Sequence, residues 1–418
     1  MLIFLILYSF LGMLSCPASH AEHPDKKGAY VMRPLIMVIG TRPDAIKMLP
    51  LYKALKARNI PVILCSTMQH NTLLTQVLDI FGVKPDYNLE IMVHDQTLAY
   101  ITAEILTRIS IILKTIEPLA MLVQGDTATA YAASLAAFYQ KIPVLHIEAG
   151  LRTATIREPF PEELYRRSIT SISDYHFAPT PQACAHLQGE GVKQNTILCV
   201  GNTIIDALSW MRIQLQNNPK LISDEIQQLI EKARDHQYKI VVCTLHRREA
   251  QNGSMAIVLE SLIKMLYEYP DLLLIFPAHP NPRVQKTIFD SGIHNHPRCK
   301  ILEALNYPNF ITLLEQASWI MTDSGGIQEE AIALQKPVIV MRNETERFEG
   351  VLEGIAMLVA YDPSLISKAV DLCYHIKHKE ITYTNSSSPT EQIVSFIEHE
   401  YILKFQSKSY NSFLQGAL

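Results

Sequence analysis

The sequence predicts an α/β protein built from two doubly wound domains in succession, with its active site in the cleft between them. Three observations predict this. From Leu35 onward, short apolar runs alternate with helical stretches, the pattern of strands buried on both faces and joined by crossover helices. The series restarts once, after a polar, helix-forming stretch over 217–238. Most of the conspicuous polar residues stand at or just after the end of an apolar run, which is where open parallel sheets bind their ligands.

The first series comprises LIMVIG (35–40), PVILCST (61–67), MLVQGD (121–126), PVLHIEA (143–149), YHFAPT (175–180) and TILCVGN (196–202). The second comprises KIVVCTLH (239–246), LLLIFPAH (272–279), WIMTDSG (319–325) and KPVIVMR (336–342). These runs assign 32–202 to a first Rossmann-like domain and 203–385 to a second. The remaining segment, 386–418, follows the Ser-rich loop NSSSP with a helical pattern from about Glu391 to Phe405 and then a tail.

Composition agrees with a globular chain. At 418 residues, 48% hydrophobic and 19% charged, it can bury two or three cores and is neither disordered nor fibrous. Lys and Arg number 37 against 41 Asp and Glu, so no basic field is available to hold nucleic acid. The seven cysteines are scattered and never form C-x-x-C, which points to reduced thiols in a cytoplasmic setting.

Residues 2–15 are apolar but shorter than the roughly 20 residues of a membrane span, so no stable membrane insertion is expected. No Lys or Arg precedes them, unlike a secretory n-region. Met32 opens the first strand pattern, and 1–31 reads as an upstream extension from a misassigned start. A targeting segment and an interfacial anchor are the alternatives.

GTRPDAIK (40–47) follows the first strand. Gly40 permits a tight turn, and Arg42 and Lys47 bracket a helix start whose free N–H groups favour an anion such as phosphate. Two solvated cations beside an ordinary turn is the plainer reading. DSGGIQEE (323–330) matches it in the second half. Asp323 or Ser324 can cap a helix beginning near Ile327, Gly325 and Gly326 let backbone amides approach a diphosphate, and Glu330, near the end of the first turn, can accept ribose hydroxyls. Arg347, after the next strand, offers a planar multi-donor contact to the same ligand.

Three carboxylates come from the first half: Asp126, Glu148 and Glu162. Asp126 and Glu148 end neighbouring apolar strands, an expensive place for an acid unless it is hydrogen-bonded or at work. Taken singly, Asp126 also reads as a helix cap, Glu148 as a structural ion pair and Glu162 as a first-turn acid. His246 and His279 end two strands of the second domain and can donate to phosphate or sugar oxygens; Gln69 carries a weaker signal after the second strand. HRRE lacks the second His of a zinc motif, so neither metal nor cofactor is expected. The residues imply an enzyme acting on a phosphorylated, nucleotide-linked ligand without naming its reaction.

GTRPDAIKMLPL, TMQHNTLLTQVLDIFGVKPDYNLEIM, QGDTATAYAASLAAFYQKIPVLHIEAGLRT, PFPEELYRRS, GNTIIDAL, HRRE, TDSGGIQEEA and ERFEG closely resemble the non-hydrolysing UDP-N-acetylglucosamine 2-epimerases, in collinear order from about Met32 to about Ser395. The resemblance implies a GT-B-like fold whose C-terminal helix crosses back onto the first domain, a homodimer, and reversible conversion of UDP-GlcNAc to UDP-ManNAc by UDP elimination to 2-acetamidoglucal and re-addition, supplying ManNAc units for surface polysaccharide. Carried over by motif, Asp126, Glu148 and Glu162 form the acid/base set and His246 lies near the phosphates. Arg42, Lys47, Ser324, Gly325, Gly326, Glu330 and Arg347 bind UDP, with the stretch around Leu305 and Phe310 holding uracil. Asp44 replaces the usual Glu of GTRPE, Met68 stands where Gly or Ala is common, and AQNGS follows HRRE where the family has Asn then Gly. Asn71 and Glu104 occupy places where many members carry arginines for an activating second UDP-GlcNAc, so the resemblance does not carry that activation over. A hydrolysing epimerase releasing ManNAc and UDP, a GT-B glycosyltransferase and a catalytically inert nucleotide-sugar sensor are the rivals.

Overall fold

The first sheet is parallel and seven-stranded: β1 (Leu35–Ile39), β2 (Val62–Ser66), β3 (Tyr87–Asn88), β4 (Met121–Gln124), β5 (Val144–Ile147), β6 (Tyr175–Ala178) and β7 (Ile197–Cys199), in spatial order 3-2-1-4-5-6-7. Its crossovers are α1 (Arg42–Ala57), α2 (Asn71–Phe81), α3 (Leu98–Ile116), α4 (Ala128–Tyr139), α5 (Glu162–Ile172) and α6 (Pro181–Gly189). α7 (Ile204–Asn217) and α8 (Asp224–Asp235) lead to the second sheet, also parallel, of six strands in order 10-9-8-11-12-13. These are β8 (Lys239–Thr244), β9 (Leu272–Pro277), β10 (Cys299–Leu302), β11 (Ala317–Thr322), β12 (Val338–Val340) and β13 (Ala356–Leu358), interleaved with α9 (Ser254–Glu268), α10 (Pro282–Asp290), α11 (Tyr307–Gln316), α12 (Gly325–Ala333), α13 (Phe348–Leu352) and α14 (Pro363–His375). This computed structural model describes residues 33–68, 71–93, 96–245, 254–279, 281–376 and 388–402.

β1, β4 and β5 are buried along their whole length, as their unbroken apolar runs require. Their outward faces meet the helices in one apolar cluster that joins Ile36, Val38, Met121, Val123 and Val144 to Ile105 and Ile109 of α3 and the alanines of α4. The second sheet has an equivalent cluster around Phe276, Trp319 and Met321. Each sheet reverses its strand order once, between β1 and β4 and between β8 and β11. In such folds the crevice beyond the strand ends at that reversal receives the ligand. The fold is α/β and GT-B-like.

Three strands, β3, β10 and β13, were not evident as apolar runs. All are edge strands of two to four residues and are only partly buried, so their sequences lack the hydrophobic signal of a central strand. The closing helical pattern is also less regular than expected. It runs as α15 (Pro389–Ser395) and then a π-helix, Phe396–Ile402. This segment lies against the first sheet: Arg58 at the end of α1 pairs with Glu391 and Glu398, and Phe396 meets Tyr175 and Phe177 edge-on. Among the described residues no helix is long and apolar enough to cross a membrane.

Candidate active site

The loop after β1 is built by its own carboxylate. Thr41 is the N-cap residue of α1, and Asp44 accepts from the Gly40 and Thr41 amides (3.0 and 3.1 Å) and from the Thr41 hydroxyl (2.8 Å). This is the capping-box arrangement, with Asp44 in place of Glu. Burial pushes the Asp44 carboxyl up to about 6 against those three hydrogen bonds. Gly40 is needed for close approach, since a Cβ there would lie 2.0 Å from Thr129 Oγ1. Gly40 is not among the residues with positive φ, so it is the close approach and not a left-handed backbone that calls for glycine there.

One turn further along α1, the Lys47 side chain is buried and pairs with Glu148 and, at 2.5 Å, with Glu329 of α12. Glu148 follows β5 with φ 64°, a left-handed conformation costing a non-glycine residue on the order of 1 kcal/mol or more. The turn aims its carboxylate at Lys47, at Gln124 Nε2 (2.7 Å) and at Arg347 Nη2 (3.6 Å). Burial first, then Glu329, push Glu148 up to about 7, against Lys47 and Arg347. Burial disfavours charge on Lys47 as well, but Glu148 and Glu329 outweigh it and hold the ammonium above its ordinary value. Glu148 is thus ion-paired, as its structural reading had it, and lies beside Arg347 of the second wall.

Asp126 follows β4. The reading of Asp126 as a cap is corrected: Thr127 is the N-cap of α4, its hydroxyl accepting from the Ala130 amide at 3.1 Å. This leaves the Asp126 carboxylate to pair with Arg166 of α5. Behind it His146, wholly buried on β5, bonds through Nε2 to the Gly125 carbonyl at 2.8 Å, and burial drives its pKa down to about 3. An imidazole that is neutral near pH 7 therefore braces the turn that presents Asp126. Glu162 is the first residue of α5, and after burial it contributes to raising the Tyr165 hydroxyl.

On the second wall, α12 begins at Gly325 with Ser324 as N-cap, two residues earlier than expected, so Glu330 falls in the second turn. Ser324 makes no side-chain cap bond. A Cβ on Gly325 would lie 2.8 Å from Arg347 Nη1 and 3.0 Å from Glu346 Oε1, whereas Gly326 faces open space. Arg347 donates to Glu329 through Nε (3.0 Å) and Nη2 (2.9 Å) and also pairs with Glu346. A second group lies beside this one. Arg42 donates to the Leu305 carbonyl at 3.4 Å and stands over the rings of Phe310 (5.7 Å) and Tyr307 (6.0 Å). It also faces Glu330, which burial pushes up to about 7.

The structure thus unites Lys47, Glu148 and Arg347, links Asp126 to them through Arg166 and Glu346, and gathers Arg42, Leu305, Phe310 and Glu330 alongside. His279 is exposed beyond β9, its Nδ1 accepting from the Asn281 amide at 3.2 Å. Gln69 and His246 lie outside the described residues. Sequence reading missed Arg166, Glu329 and Glu346, which stand within helices or beside candidate residues and carry no local mark of their burial. Among the described residues no group of three His, Cys, Asp or Glu could hold a metal ion.

A profile of the UDP-N-acetylglucosamine 2-epimerase family matches residues 53–398. The chain belongs to this family. A UDP-N-acetylglucosamine 2-epimerase of Salmonella borreze is 42% identical over 361 residues, covering 85% of this chain and 93% of its own. That of Escherichia coli K12 is 41% identical over 343 residues, covering 80% and 89%. The Neisseria meningitidis epimerase solved with UDP-GlcNAc superimposes with a TM-score of 0.77 at 36% identity, over 87% of this chain and 99% of that one. The Methanocaldococcus jannaschii epimerase solved with UDP-GlcNAc and UDP gives 0.76 at 32% identity, over 87% and 99%. The chain is accordingly an epimerase of the UDP-GlcNAc 2-epimerase family.

Proposed function

We propose that this chain interconverts UDP-GlcNAc and UDP-ManNAc without net hydrolysis. One observation carries the reading: Arg347, from the wall suited to a diphosphate, reaches within 3.6 Å of Glu148, a carboxylate of the opposite wall. A leaving-group cation and an acid/base carboxylate therefore flank one small volume.

The C2 hydrogen has no adjacent carbonyl to acidify it. Cleavage of C1–O must run ahead of proton removal and build oxocarbenium character at C1, with the bonding electrons passing to the β-phosphate oxygen of UDP. Arg347, Lys47 and the amides opening α12 stabilise that departing charge. A carboxylate of the set Asp126, Glu148 and Glu162 takes the C2 proton, leaving 2-acetamidoglucal and UDP. Return of a proton to the opposite face of C2 and of UDP to C1 completes the inversion, which requires more than one acid/base group. Glu148, raised to about 7, is matched to exchanging a proton near neutral pH. Arg42 stacked toward Phe310 and Tyr307, with Glu330 beside it, suits a base and a ribose. Supply of ManNAc units to a surface polysaccharide, a homodimer, binding of UDP-ManNAc and a cytoplasmic setting complete the proposal.

The test is product analysis after incubation with UDP-GlcNAc. The expected result is an equilibrium mixture of two intact sugar nucleotides with no accumulation of free sugar. Stoichiometric free ManNAc and UDP would replace this reading with the hydrolysing reaction.

A further inference from the structure

Glu346 is a carboxylate that the mechanism above does not use, yet it lies at the centre of the cation cluster. Its side chain is 2% exposed and pairs with Arg347, with Arg342 at 3.1 Å and with Arg166 at 3.5 Å. Its Oε1 also lies 3.0 Å from the position a Cβ would take on Gly325, the first residue of α12. An anion set against a helix N-terminus and a guanidinium is in the environment that a phosphate selects. Arg166, the first-wall member of this cluster, is also the partner of Asp126.

We propose that Glu346 is the protein's own competitor for the diphosphate: it pairs with Arg347 beside the α12 N-terminus, and an incoming diphosphate displaces it. This rests on the UDP-binding reading above and deepens it. Two consequences follow from charge. Glu346 weakens ground-state binding of the nucleotide, so product leaves more readily. Because Arg166 is shared between Glu346 and Asp126, movement of Glu346 toward or away from Arg166 links occupancy of the diphosphate wall to the placement of Asp126. Glu346 is thus a positioning residue and an internal counter-anion.

The experiment is calorimetric titration of UDP into the full chain and into Glu346→Gln and Glu346→Asp, with steady-state kinetics on each. Removing a desolvated competing charge is expected to tighten UDP about tenfold in Glu346→Gln, with KM and kcat both falling as release slows. Glu346→Asp keeps the charge on a shorter side chain that competes less well, so it is expected to bind UDP more tightly than the parent and less tightly than Glu346→Gln. Unchanged or weaker UDP binding in Glu346→Gln, with a melting temperature equal to the parent's, would overturn the proposal. If Glu346→Gln melts early, Glu346→Asp decides: its shorter side chain reaches the α12 N-terminus less well, so tighter UDP binding supports competition, and unchanged or weaker binding refutes it. Failure of the parent chain to bind UDP would count against the proposed function instead, so the two readings fail separately.

Discussion

Lys47 Nζ lies 2.5 Å from Glu329 Oε2, so a lysine from the helix after β1 and a glutamate from the helix after β11 meet across the cleft with both side chains buried. Glu148 shares the same ammonium. One cation thereby serves two carboxylates, and Lys47→Met would leave both without it. Deleting one partner of a buried ion pair costs about 3–5 kcal/mol. Denaturant unfolding of Lys47→Met should show a loss of that order together with weakened UDP binding, and a stability equal to the parent's would mean that the pair contributes nothing.

The titration of Glu148 depends on its neighbours. Burial is the larger cause of its rise to about 7 and Glu329 the next, so Glu329→Gln removes a raising influence. If Glu148 titrates in the reaction, a limb of the pH–rate profile stands near 7 in the parent and moves to lower pH in Glu329→Gln. A limb that stays in place would separate Glu148 from the observed titration.

Stability carries the same signature. Glu148 and Glu330 stand at about 7 in the folded chain against an ordinary 4.5, so the folded state holds their protons more tightly than the unfolded one. Their contribution is fully present below about 4.5, is lost as pH rises to about 7, and changes little above that. Glu330→Gln removes one of the two groups, and unfolding measured across this window should show a shallower pH slope. An unchanged slope would contradict the burial argument.

Gly325 tests the diphosphate wall. Gly325→Ala puts a Cβ 2.8 Å from Arg347 Nη1 in a buried cluster, so the chain should fold with a somewhat lower melting temperature. Its Cβ would press on Arg347 and Glu346 and block close approach of an anion to the α12 amides. UDP affinity should fall about tenfold or more, the effect of losing one or two charge-assisted hydrogen bonds. Parent-like affinity would move the diphosphate away from this helix.

The central strands and the strand-end positions were legible because burial on both faces demands unbroken apolar runs, and polar residues closing such runs stand out. Edge strands such as β3 and β10 carry no such run. Arg166, Glu329 and Glu346 were not legible for a different reason: a charged residue in a helix or loop reads as a solvated face, and only ion-pair partners distant in sequence, such as Asp126 for Arg166 and Lys47 for Glu329, account for its burial. Asp126 shows the limit from the other side. Its position was conspicuous, but Thr127 took the capping role that a local reading offered to Asp126.

The central claim is that the cleft exchanges the hydrogen on C2 of the sugar while UDP leaves and returns. Nuclear magnetic resonance of UDP-GlcNAc incubated with the enzyme in heavy water tests it most directly. The account predicts deuterium at C2 in both recovered sugar nucleotides, and no incorporation in Asp126→Asn or Glu148→Gln proteins that still bind UDP. Epimerised product retaining its original C2 hydrogen would contradict it.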